Sequence, residues 1–161
     1  MNRLFLVFCT FSVILLACGE KKCPYKPEAI FAKDLPHIEQ YNFEKQGNES
    51  MESILLDTKT LLEIYQNVCE ETLQEYKFTV KGNFGTYPDS LWLREASRQL
   101  VFLSSLSEKQ RNLKAWGDII EQRRNDMRLG ENREVQPGIF VKVDRIVSPD
   151  QGVLILTFSQ K

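Results

Sequence analysis

The stretch Asn48–Tyr76, NESMESILLDTKTLLEIYQNVCEETLQEY, decides how the rest of the chain is read. Leu55, Leu62, Cys69 and Tyr76 recur every seven residues, and Ile54, Leu61 and Val68 recur one position earlier. Thr58, Tyr65 and Thr72 fill the intermediate turns. Glu49, Ser50 and Glu52 supply an acidic first turn, which suits the positive end of a helix dipole. The spacing predicts one long amphipathic helix with a wide apolar stripe. Such a stripe packs on a domain more readily than it forms a two-stranded coiled coil, with a partner helix as the functional alternative. The acidic pairs Glu49/Glu52 and Glu70-Glu71 read as its solvated face.

Beyond this stretch the period changes. Tyr76, Phe78, Val80, Gly82 and Phe84 alternate with Lys77, Thr79, Lys81 and Asn83, the pattern of a strand with one buried face. Thr86-Tyr87-Pro88-Asp89 has capping-box spacing, with proline in the first turn of the helix it opens. Leu93, Ala96, Leu100 and Leu103 form that helix's stripe, widened by Trp92 and Val101. Ser107 and Gln110 open a second helix with Leu113, Trp116, Ile120 and Met127 on its apolar face, stopping at Gly130. Ile139–Val147 and Val153–Ser159 are β-rich and joined by Ser148-Pro149-Asp150-Gln151-Gly152, a turn in which Gly152 supplies tolerance of positive φ. The expected fold is α+β: a long N-terminal amphipathic helix followed by a small strand-helix-helix-strand-strand sandwich.

Upstream, the composition shifts. Thirteen of the first seventeen residues are apolar, and Leu4 to Ala17 is a run of fourteen residues with no charge. A spanning helix needs about 20 apolar residues, so this run fits the apolar region of a signal peptide. It ends Leu15-Leu16-Ala17-Cys18-Gly19. That ending resembles the lipobox of bacterial lipoproteins. The resemblance implies cleavage before Cys18, a diacylglycerol thioether on its sulfur and acylation of the new amino group. Two or three acyl chains give a stable anchor where one gives marginal binding. The expected organisation is therefore a signal peptide over 1–17, a lipidated tether over 18–47 and an α+β domain over 48–161. Loss of Arg3 leaves 20 basic side chains against 22 acidic ones. Gly19 behind the lipidated cysteine favours, by resemblance to enterobacterial sorting, the outer membrane over the inner, facing the periplasm.

Of the four cysteines, Cys9 leaves with the signal and Cys18 carries lipid. Cys23 and Cys69 remain, and a pair in an oxidising compartment reads as a disulfide. The alternative is a buried Cys69 and a free thiol at Cys23. Two cysteines and one histidine at this spacing are no metal motif.

No catalytic constellation stands out. His37 is the only histidine and follows Pro36 in the tether, and no serine sits in a G-x-S-x-G elbow. Gly82-Asn83-Phe84-Gly85 is explained by a strand-to-helix turn. Arg111, Lys114, Arg123, Arg124, Arg128 and Arg133 alternate with Glu108, Asp118, Glu121 and Asp126, a solvated face rather than a nucleic-acid surface. Phe84, Tyr87 and Trp92 cluster around one turn; they read as the edge of the core or, if exposed, as the first-choice partner interface.

The segment Tyr76–Gly85, the helix carrying Leu93 and Leu100, and the hairpin from Gly152 to Phe158 resemble the periplasmic domains of type IV pilus alignment proteins of the PilO type. That likeness implies a ferredoxin-like sandwich and a role in a pilus or secretion apparatus. The chain departs from it in having a lipobox instead of a transmembrane helix. The sequence thus leads to a non-enzymatic, membrane-anchored envelope protein that binds a protein partner, with no cofactor, no metal and no nucleic acid. A small envelope ligand binder or enzyme is the alternative from another class.

Overall fold

The computed structural model describes residues 26–69 and 73–160. The strands are β1 (Ile38–Gln46), β2 (Glu49–Leu56), β3 (Leu61–Asn67), β4 (Leu73–Lys81), β5 (Asn132–Gln136), β6 (Ile139–Val147) and β7 (Gln151–Gln160). Two helices, α1 (Asp89–Leu106) and α2 (Arg111–Gln122), lie between β4 and β5 and are joined by a 3-10 turn at Glu108–Gln110. All seven strands form one sheet in the order β1-β2-β3-β4-β7-β6-β5, and every pairing is antiparallel.

The helix expected over 48–76 is overturned: that stretch is β2, β3 and the start of β4. The governing period is two. Glu52, Ile54 and Leu56 are buried along β2, and Leu62, Ile64 and Gln66 along β3. Because Ile54 pairs with Leu62 and Leu55 with Leu61, every seven-residue step through this hairpin changes face. Ile54 is inside and Leu61 outside. The intervening Asp57–Thr60 segment is a tight turn with Lys59 at φ 61°; Lys59 N–H donates to the Leu56 carbonyl at 2.9 Å. The strand-helix-helix-strand-strand order and its ferredoxin-like topology fall with the helix, since four strands precede the helical pair and three follow it.

Residues 26–47 are part of this fold rather than a spacer ahead of it. Ile30 and Phe31 are buried in the core, and β1 forms one edge of the sheet. The β1–β2 hairpin turns at Gly47-Asn48, with Gly47 at φ 62°, as two-residue turns with glycine first require. The acidic residue assigned to a solvated face, Glu52, is 0% exposed. Its carboxylate accepts from the Ile30 N–H at 2.8 Å and the Phe31 N–H at 2.9 Å, and so fastens the N-terminal segment to the sheet. Burial holds its pKa above the usual carboxylate range, opposed by those two hydrogen bonds and one from Tyr41. Burial beside Glu52 pushes Tyr41 up to about 12. Gln66 Nε2 donates to the Glu28 carbonyl at 2.9 Å, so the segment is held at a second point.

The expected α1 stripe is correct: Leu93, Ala96, Leu100 and Leu103 are all buried. The caps are not as expected. Pro88 stands at the N-cap of α1 with no side-chain hydrogen bond, and Gln110 rather than Ser107 precedes α2, again without one. The second helix ends at Gln122, before Gly130. The two helices meet closely at Gly117, where a Cβ would lie 2.9 Å from the Ser97 carbonyl oxygen. They cover one face of the sheet. The other face is wetter and carries cross-strand polar pairs, Lys77 Nζ to Glu63 at 2.8 Å and Thr157 Oγ1 to Glu75 at 3.2 Å. Among the described residues no helix is long and apolar enough to cross a membrane.

Candidate functional site

The strand β4 ends at Lys81, and the chain turns through Gly82–Pro88 into α1. This turn is internally tied: the Gly85 N–H donates to Asn83 Oδ1 at 3.1 Å, and the Tyr87 N–H to the Phe84 carbonyl at 3.0 Å. It is also tied to the far hairpin, since the Gly82 N–H donates to the Asp150 carbonyl at 2.8 Å. The three aromatic residues singled out from the sequence are thereby brought together. Phe84 and Tyr87 meet edge to face with centroids 5.2 Å apart, and Phe84 and Trp92 are 5.8 Å apart.

These rings wall a cleft of about 340 Å³ between α1 and the end of the sheet. Phe78 and Val80 of β4 and Leu154 of β7 also line it. The cluster is both core edge and surface: Trp92 is 5% exposed and Tyr87 is 44% exposed. Gly152 makes the packing possible. A Cβ there would lie 2.6 Å from Phe84 Cδ2 and 2.9 Å from Trp92 Cη2. Gly152 is thus needed for space in β7, not for the positive φ expected of it, which it does not adopt.

Arg145, on β6, locks the turn from the other side. Its Nη1 donates to the Tyr87 carbonyl at 3.0 Å and pairs with Asp89 Oδ1 at 2.9 Å, and its guanidinium lies 5.9 Å from the Trp92 ring centre. The rim along α1 carries Arg94, Glu95, Arg98 and Gln99. Glu95 accepts from Gln99 at 2.7 Å and from Arg98 at only 3.5 Å. The Arg94 guanidinium has no hydrogen bond or ion pair among the described residues. Trp92 Nε1 is the one buried side-chain nitrogen or oxygen without a partner among them.

Sequence reasoning missed Arg145, Arg94 and the spatial role of Gly152. Strand alternation is the signal that places Gly152 over the helices, because Leu154, Leu156 and Phe158 of the same strand share its parity and are buried.

The other residues named from the sequence lie apart from the cleft. His37 sits before β1 and pairs with Asp57 at 2.7 Å, both half exposed, which closes the β2–β3 turn against the start of β1. The basic residues after Ser107 alternate with acids as expected, for example Lys114 with Asp118 at 2.8 Å. Cys69 is disulfide-bonded. Its partner lies outside the described residues, as do Cys9, Cys18, Cys23, Glu70, Glu71 and the whole leader. No group of three or more His, Cys, Asp or Glu able to hold a metal occurs among the described residues.

No family model, curated protein or solved structure matches the chain.

Proposed function

We propose that the protein is a non-enzymatic binding module of a bacterial envelope, anchored by lipid on Cys18 and meeting a protein partner through the aromatic cleft. The cleft carries this reading. Its volume of about 340 Å³ is at the small end of the roughly 300–1,000 Å³ of small-molecule sites. It has room for one or two side chains of a partner, the usual scale of an interface anchor. Its polar groups stand along one helix rim instead of converging on a reacting centre.

The position of the cleft supports the same reading. The N-terminal segment is held at Glu28 by Gln66, which pairs with Gln74. From Gln74 to the cleft residue Val80 is six residues of strand, roughly 20 Å at about 3.3 Å per residue. A lipid attached ahead of that segment leaves the cleft at the end of the sheet remote from the membrane, where a partner outside the bilayer can reach it. Tethering raises effective concentration, so a weak contact suffices. We pair Cys69 with Cys23, which would fix the tether at that same end.

Two measurements test the reading. The mature protein should begin at Cys18 with acyl mass, and Cys18→Ser should release it from membranes; an intact leader without acyl mass contradicts the anchor. Hydrogen exchange on the lipoprotein in isolated envelopes should show residues 84–92 protected relative to the purified protein. Equal exchange contradicts docking at the cleft.

A further inference from the structure

Resting on that docking reading, we infer that the partner segment presents an aromatic side chain flanked by carboxylates. The apolar half follows from the walls: Phe84, Tyr87 and Trp92 stand over Phe78 and Leu154, and an inserted ring gains edge contacts from them beyond its buried area. The acidic half follows from charge. Arg145, behind the aromatic turn, is already neutralised by Asp89, and the ionised groups lining the cleft are Arg94, Glu95 and Arg98. The rim is therefore net positive on a chain whose formal charge is −1. Arg94 has no hydrogen bond or ion pair among the described residues and is placed to take a carboxylate, and Arg98 is held only by a 3.5 Å contact with Glu95.

One further donor belongs to a residue of the cleft wall, Trp92. Its buried Nε1–H has no acceptor among the described residues. A lysine-flanked segment would meet a cation that has no counter-charge; an acidic one supplies it.

The test uses the full lipoprotein in detergent micelles with Trp116→Phe, leaving Trp92 as its only tryptophan. Three blocked peptides, Gly-Asp-Phe-Asp-Gly, Gly-Lys-Phe-Lys-Gly and Gly-Asp-Ala-Asp-Gly, are titrated against Trp92 emission into the millimolar range. The acidic phenylalanine peptide should bind about two- to five-fold tighter than the lysine one, the scale of one partly exposed ion pair. Arg94→Glu should abolish or invert that ratio without moving Tm. The alanine peptide should bind least. Equal binding of the two phenylalanine peptides, or preference for lysine, overturns the charge assignment and leaves docking at the cleft intact. No response to any peptide overturns both.

Discussion

Replacing Gly152 with alanine tests whether the cleft is built as described. The added methyl would sit 2.6 Å from Phe84 Cδ2, 2.9 Å from Phe84 Cγ and 2.9 Å from Trp92 Cη2. Both rings must shift, or β7 must move away from the turn. Overpacking of this kind costs about 1–3 kcal/mol. The smaller conformational freedom of alanine in the unfolded chain returns roughly 0.4–1 kcal/mol. The mid-values leave a net loss of about 1.3 kcal/mol, which lowers Tm by roughly 3–5 °C in a chain of this size. The control is Gly85→Ala, whose Cβ would meet only Asn83 Oδ1, at an ordinary 3.5 Å. Thermal denaturation followed by circular dichroism gives Tm, and Trp92 emission in the Trp116→Phe background reports the rings. A Gly152→Ala protein with wild-type Tm and unchanged emission would refute the packing assigned to β7 and the aromatic turn.

Three other outcomes follow from the fold. Leu62 is fully buried and Leu55 faces the wetter side of the sheet, so Leu62→Ala should cost about 2–5 kcal/mol and Leu55→Ala much less; equal costs in urea titrations would restore the helix reading, which puts both in one stripe. Glu52 has a raised pKa in the folded state, so the stability it contributes is complete below the unfolded carboxylate value of about 4.3 and is lost as pH rises through the folded value. Wild type should therefore lose stability relative to Glu52→Gln between pH 4 and 8 in paired thermal melts, and a gap that stays constant or widens in its favour would contradict this. Reducing the Cys69 disulfide should destabilise the domain by about 4 kcal/mol if it closes the loop from Cys23, and non-reducing peptide mapping should return that pair; two free thiols would refute it.

The α1 stripe and the alternation of β4 were legible because each has one period and one buried face, and the β6–β7 hairpin because two β-rich runs flank one Pro-Asp turn. Asn48–Tyr76 was not, for a specific reason. Two strands of period two, joined by a four-residue turn, place apolar residues at 54, 55, 61 and 62, which mimics a heptad. The β-branched residues Ile54 and Ile64 and the aromatic Tyr65 argue for strands, but Glu52 at an inward position hides the alternation. A carboxylate is not expected inside without a cation, and its partners are backbone N–H groups of Ile30 and Phe31, 22 and 21 residues away. The aromatic members of the cleft were legible because they surround one turn. Arg145 was not, because its contact with Tyr87 spans 58 residues and depends on the β4–β7–β6 register.

Site-specific photo-crosslinking in intact cells is the most direct test of docking at the cleft. A photoreactive residue is placed at Tyr87, on the cleft rim, or at Thr157, on the opposite face of the sheet. A discrete protein adduct at 87 that Arg94→Glu weakens, with none at 157, is the expected result. Adducts at 157 and none at 87 would contradict the account.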